Sequence, residues 1–151
     1  MKAQNETVLQ FPSLSRNEGF ARSAAAAFAV QLDPTLDELG DIKTAVSEAV
    51  TNCIVHAYPT GIGSITLKLR LLPENFLEIT VRDHGVGIED VAKARQPLYT
   101  TGGEERSGMG ITIMESFMNE VRIKSAPGKG TTVRMRKRIA GRADPSCGQR
   151  N

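Results

Sequence analysis

Two periods of hydrophobic spacing take turns along the chain. Leu39, Ile42, Val46, Ala49, Val50 and Cys53 recur three or four residues apart, the stripe of an α-helix with one buried face. Thr35, with Glu38 three residues on, has the form of a capping box at its start. The end is expected near Tyr58-Pro59, because a proline disfavours helical geometry in the residue before it. Ahead of it lies an alanine-rich helix running to about Leu32, opened by a second capping signal, Ser15-Arg16-Asn17-Glu18. Residues 64–72 and 76–82 alternate apolar and polar around Pro73-Glu74-Asn75, the pattern of an antiparallel hairpin. Residues 7–11 read as a short first strand. Residues 121–125 and 131–138 read as a closing hairpin around Pro127-Gly128-Lys129-Gly130. Helical spacing returns over residues 108–118 through Ile111, Met114 and Phe117. Between Gly87 and that helix, residues 88–95 are expected as a short helix and residues 96–107 as a long polar loop.

This order predicts a two-layer α/β sandwich: a mixed, largely antiparallel sheet with helices on one face. Adjacent hairpins separated by helices argue against a doubly wound parallel sheet. A chain of 151 residues fits one domain, here 1–138, followed by a flexible tail over 139–151. Hydrophobic residues at 40% and charged residues at 24% exclude a wholly disordered chain. Nineteen basic against seventeen acidic side chains leave a formal charge of +2, too balanced for a nucleic-acid binder by bulk charge. The basic stretch from Arg134 to Arg142 therefore reads as a solvated one. The longest apolar run, Ala24 to Val30, is far short of a membrane span, and the N-terminus lacks the apolar core of a signal peptide. A cytoplasmic protein without membrane contact is the expectation. Cys53 reads as a thiol in a helix core and Cys147 as an incidental one in the tail, with neither a disulfide scaffold nor a zinc site in view.

Three segments carry candidate chemistry. Glu48 and Asn52 are four residues apart and share a helix face turned away from Val46 and Val50. A carboxylate and an amide oxygen one turn apart suit Mg²⁺ and a reacting hydroxyl, although the pair by itself is also what a solvated helix face looks like. His56 reads as a helix-end histidine. Asp83-His84-Gly85-Val86-Gly87 follows a strand. A carboxylate there can accept from an exocyclic amine such as that of adenine, and glycines let a ligand come close to the backbone. An ordinary capped turn has the same look, and His84 reads as an exposed bystander. Ser107-Gly108-Met109-Gly110-Ile111 opens a helix, whose free N–H groups and positive dipole end suit phosphates. Thr100, Thr101 and Arg106 in the preceding loop add hydroxyls and a guanidinium. No G-x-x-x-x-G-K-[ST] run occurs, so a P-loop is excluded, and neither G-x-G extends to the third glycine of a dinucleotide fingerprint.

In sequence order these segments, closed by Gly128-Lys129-Gly130-Thr131 before the last strand, resemble the GHKL ATPase/kinase superfamily over residues 36–138. The runs SLSRNEGFARSAAAAFAVQLDP, VSEAVTNCIVHAY, RQPLYTT and ERSGMGITIMESFMNEV are similar, over residues 1–138, to the anti-sigma-F family of small serine kinases from endospore-forming bacteria. That resemblance implies the Bergerat fold with ATP and Mg²⁺ as cofactors. It implies Glu48 as catalytic general base, Arg106 beside the phosphate tail and Asn52 as the Mg²⁺ ligand. It implies Asp83 on the adenine amine with Thr131 nearby, and Gly85 and Gly87 shaping the base pocket. Thr100, Thr101, Ser107, Gly108, Met109 and Gly110 would contact the rest of the nucleotide. Glu18 and Arg22 would belong to a protein-docking surface. The implied partners are a sporulation sigma factor that is inhibited, an anti-anti-sigma factor phosphorylated on serine, and a second copy of the chain, with no direct nucleic acid. Gly102-Gly103-Glu104-Glu105 departs from the resemblance by making the lid shorter and richer in glycine. The alternatives are a histidine-kinase-type catalytic module and an ATP-dependent binding protein without kinase activity; Glu48 suits hydroxyl activation and favours the serine kinase.

Overall fold

Alternation along five segments builds one sheet. The computed structural model describes residues 2–87 and 108–141. Its strands are β1 (Asn5–Pro12), β2 (Ser64–Leu72), β3 (Phe76–Asp83), β4 (Glu120–Ser125) and β5 (Thr131–Arg138). They lie in the order β1-β2-β3-β5-β4, each neighbour antiparallel. The expected two-layer α/β architecture is present, and every pairing among the described residues is antiparallel.

The helices are α1 (Asn17–Ala29), α2 (Leu36–Asn52) and α3 (Gly108–Phe117). A 3₁₀ turn, Val30–Leu32, ends α1, and a π-turn, Cys53–Ala57, prolongs α2 to the residue before Tyr58. One core joins the layers. Ile65, Leu67 and Leu69 of β2, Leu77, Ile79 and Val81 of β3, and Val133 and Met135 of β5 meet Ile42, Val46 and Val50 of α2, Ala21, Ala25 and Ala29 of α1, and Ile111 and Met114 of α3. Each such large side chain contributes roughly 1.5–3 kcal/mol by burial. A one-residue slip would turn a whole strand's set outward, so the register is fixed. That register sets Asp83 opposite Ile65 on one side and Thr131 on the other.

The two capping signals fare differently. At Thr35 the box forms: its hydroxyl accepts from the Glu38 N–H at 3.0 Å, and the Glu38 carboxylate accepts from the Thr35 N–H at 2.9 Å. At Ser15 it does not. α1 begins at Asn17 behind Arg16, with no side-chain cap. The Glu18 carboxylate instead accepts from the Ser47 hydroxyl of α2 and pairs with Arg22 at 2.9 Å, which draws it away from the helix start. Pro73–Asn75 is a 3₁₀ turn with Glu74 and Asn75 at φ of 66° and 64°.

Glu38 has a second task. Its carboxylate also accepts from the backbone N–H groups of Ala140 at 2.7 Å and Gly141 at 3.1 Å, and Ile139 is buried in the core. The segment expected to be a free tail from residue 139 therefore starts with three anchored residues; 142–151 lie outside the described residues, as do the short helix and the loop expected over 88–107. Burial pushes the Glu38 carboxyl up, but the hydrogen bonds from Thr35, Ala140 and Gly141 and the charge of Lys137 outweigh it and hold the group below the ordinary carboxylate range. On the sheet's outer face, Glu78 of β3 is buried among guanidinium groups, 2.9 Å from Arg70 of β2 and 2.8 Å from Arg136 of β5. Among the described residues no helix is long and apolar enough to cross a membrane.

Candidate functional site

The last turn of α2 meets the first turn of α3. Glu48 and Asn52 are half-buried on one face of α2, as their four-residue spacing requires. Gly110 sits directly beside them. A Cβ built there would stand 3.0 Å from Glu48 Oε1 and 3.3 and 3.4 Å from the nitrogen and oxygen of the Asn52 carboxamide. The bare backbone of α3 thus borders a carboxylate and an amide. The opening N–H groups of a helix have no partner within it and carry its positive dipole end, so this corner offers donors for an anion and oxygens for a cation.

The residue after Asn52, Cys53, touches a second polar group. Asp83 ends β3 and is 4% exposed. Its Oδ1 accepts from the Gly85 N–H at 2.9 Å and the Thr131 N–H at 3.2 Å, and its Oδ2 lies 3.4 Å from the Cys53 thiol. The turn after it is stitched on both sides. Val86 N–H donates to the Ala57 carbonyl at 2.9 Å, and Gly128 N–H donates to the Val86 carbonyl at 2.7 Å. A Cβ at Gly85 would come within 2.1 Å of the Ala57 oxygen, so only glycine fits. Gly87 adopts φ +80° with the Ala126 carbonyl closing in on it. The Tyr58 hydroxyl accepts from the His84 N–H at 2.8 Å and donates to the Ser64 carbonyl at 2.7 Å, tying the turn to β2. Burial, then the neighbouring Asp83 charge, pushes the Cys53 thiol well up, so it stays protonated and donates.

Seven of the fifteen sequence-predicted site residues fall into these two groups. Glu48, Asn52 and Gly110 make one; Asp83, Gly85, Gly87 and Thr131 make the other. The successive residues Asn52 and Cys53 join them. Gly108 and Met109 open α3. Thr100, Thr101, Arg106 and Ser107 lie outside the described residues. Glu18 and Arg22 sit on α1 in contact with Ser47, the residue before Glu48, and belong to neither group. His56 is half-buried in the π-turn, and His84 enters through its backbone alone. Two contributors, Cys53 and Tyr58, were not among the predicted site residues; Gly130, part of the closing glycine motif, joins them because its Cβ would come within 2.2 Å of the Asp83 carbonyl. A thiol directly after Asn52, on the helix face bordering the next strand's end, was the available signal for the first; nothing local marked the hydroxyl of Tyr58.

The donor set fits a nucleotide with a magnesium ion. Asp83 is an acceptor-only group with its surroundings fixed, suited to an amine. At the other end, among the described residues, no cluster of three His, Cys, Asp or Glu side chains forms an all-protein metal cage. The Asn52 amide oxygen beside a helix start suits Mg²⁺, which keeps waters and substrate phosphates among its ligands, and leaves the Glu48 carboxylate for a reacting hydroxyl.

Comparison with known proteins finds an ATPase domain. The pattern of the histidine kinase-like ATPase domain matches residues 11–137. The anti-sigma F factor of Caldanaerobacter subterraneus subsp. tengcongensis is 59% identical over 140 residues, 92% of this chain and 97% of the relative. The anti-sigma F factor of Geobacillus kaustophilus is 57% identical over 141 residues, 91% and 94% of the two chains. Among solved structures, the RsbU and RsbW domains of a Mycobacterium tuberculosis protein superpose with a TM-score of 0.66 at 20% identity, covering 90% of this chain and 32%, about a third, of the other. A blue-light activated histidine kinase of Erythrobacter litoralis superposes with a TM-score of 0.58 at 20% identity, over 78% of this chain and 40% of that one. These two likenesses are of fold.

Proposed function

Because the chain belongs to the histidine kinase-like ATPase family, among the anti-sigma F factors, we propose that it binds and inhibits a sporulation sigma factor and phosphorylates an anti-anti-sigma factor on serine, using ATP and Mg²⁺. The observation that carries this is the meeting of Glu48 and Asn52 with the start of α3, one residue from the Asp83 group.

Each residue then has a defined task. Asp83 accepts a hydrogen bond from the adenine amine, in a pocket whose walls are the backbone at Gly85 and Gly87, with Thr131 holding the carboxylate. Asn52 supplies the oxygen that holds Mg²⁺, and the N–H groups at Gly108, Met109 and Gly110 receive phosphate oxygens. Arg106, Thr100, Thr101 and Ser107 are assigned to the nucleotide on the sequence resemblance. Bound Mg²⁺ neutralises charge on the phosphate oxygens during transfer. Glu48 takes the proton of the attacking serine hydroxyl and orients it, a role worth typically 10²–10⁴-fold in rate. Serine transfer rather than histidine transfer is favoured by this carboxylate, since a hydroxyl must lose a proton to attack. Glu18 and Arg22 offer a docking surface on α1, linked through Ser47 to the helix that carries Glu48. The protein would work as a cytoplasmic homodimer.

The test is incubation with radiolabelled ATP, Mg²⁺ and the candidate anti-anti-sigma factor, beside sigma-factor pull-downs in ADP and in ATP. The expected product carries acid-stable phosphoserine, and sigma capture depends on the nucleotide. Acid-labile phosphohistidine would replace the proposal with a histidine-kinase module. Sigma capture with no labelled product would replace it with a binding protein for which ATP is only a ligand.

A further inference from the structure

The acceptor directions of Asp83 are almost used up. A carboxylate has about four lone-pair sites. Two on Oδ1 are taken by the N–H groups of Gly85 and Thr131, at 2.9 and 3.2 Å. One on Oδ2 faces the Cys53 thiol at 3.4 Å. With 4% exposure, the group has almost no contact with solvent. One acceptor direction remains on Oδ2, the one the thiol does not occupy. We propose that Cys53 is a positioning residue for base recognition: its S–H leaves Asp83 a single aimed acceptor, so the site takes a purine that presents an amino group there and rejects one that presents a carbonyl.

The sequence and the helix geometry both place the thiol for this task. Cys53 directly follows Asn52, at the point where α2 loosens into the π-turn; such turns recur at functional sites. The two ends of the nucleotide are therefore read by neighbouring residues of one helix. The thiol is 5% exposed and lies 3.4 Å from an oxygen that can only accept, so its S–H is the donor of the pair. A sulfur donor is weaker than a hydroxyl, which makes Cys53 a tuner of the carboxylate rather than its anchor. The inference rests on the nucleotide reading above, since it presupposes a purine over Asp83.

Dissociation constants for ATP and for ITP, measured by calorimetry on the full chain in Mg²⁺, separate positioning from packing. ITP carries a carbonyl where ATP carries the amine. Cys53→Ala is expected to weaken ATP about three- to tenfold and to move ITP less than twofold, so the preference for ATP narrows. Cys53→Val removes the donor at nearly constant volume and carries the same expectation, should the alanine variant fold poorly. Cys53→Ser restores the donor and with it the preference. A preference unchanged in both donor-less variants, or ATP and ITP weakened in equal proportion, overturns the inference and leaves the nucleotide site standing. A wild-type chain that binds neither nucleotide overturns the site itself and the inference with it.

Discussion

Replacing Glu78 by glutamine tests how the outer face of the sheet is held. The carboxylate is the shared partner of three strands: Arg70 of β2 at 2.9 Å and Arg136 of β5 at 2.8 Å clasp it on β3, with Arg134 at 4.0 Å. Its side chain is 3% exposed, whereas those of Arg136 and Arg70 keep 20% and 23%. Removing one partner of a fully buried pair costs roughly 3–5 kcal/mol. Here water still reaches the arginines and the amide keeps one acceptor oxygen, so Glu78→Gln should cost about 2 kcal/mol. For a chain of this length that is about 4–8 °C in Tm. The pH dependence separates charge from shape. Burial alone would raise the Glu78 carboxyl, but the hydrogen bonds and charge of Arg136 and Arg70 override it and hold the group below the ordinary range. The folded value thus lies under the unfolded one. The stabilisation is complete above the ordinary carboxylate value of about 4.3 and is lost as pH falls through the folded value. Urea unfolding of wild type and Glu78→Gln at neutral pH, and again in steps below about pH 4, should show a penalty of about 2 kcal/mol that shrinks with acid. An equal penalty at every pH, or one under about 0.5 kcal/mol at neutral pH, would refute the electrostatic clasp.

Glu48→Gln should retain ATP in equilibrium dialysis while serine transfer drops about 10²–10⁴-fold; full activity would remove Glu48 as the base. Gly85→Ala drives a methyl to within 2.1 Å of the Ala57 oxygen, so the turn must shift, and calorimetry should record at least a tenfold loss of ATP affinity; near wild-type binding would mean the turn is not a pocket wall. Arg22→Glu sets a second carboxylate beside Glu18 and should weaken sigma-factor capture at least tenfold more than it weakens ATP binding, and pull-downs with undiminished capture would remove α1 from the docking surface.

Periodicity revealed the layers because burial is what spaces apolar residues. The stripe from Leu39 to Cys53 predicted α2, and the alternation through Ile65, Leu67 and Leu69 predicted β2. Local rules failed where a distant partner competed. Ser15 and Glu18 read as a capping box, yet the carboxylate went to Ser47 and Arg22, a choice made by the packing of α1 on α2. Glu38 kept its box and gained Ala140 and Gly141, which no pattern near residue 140 announces. In the site, Glu48, Asn52, Asp83 and the glycines were legible as residue types at telling spacings. Their convergence was not, because it depends on the register that faces Asp83 to Thr131 and on the approach of α3 to α2. Cys53 shows the opposite problem: its helical spacing marked it as core, which it is, and the same spacing hid its contact with Asp83.

The grip of Glu38 on the backbone of residues 140 and 141 joins positions 102 and 103 residues apart in the sequence. It fastens the exit of the final strand to the entrance of the second helix. Shortening the polypeptide to residue 138 would strip two donors from a carboxylate that also starts that helix, so erosion of the carboxyl end would loosen the entrance of the helix that carries Glu48 and Asn52. Tags and fusions belong past residue 141, where this fastening stays closed.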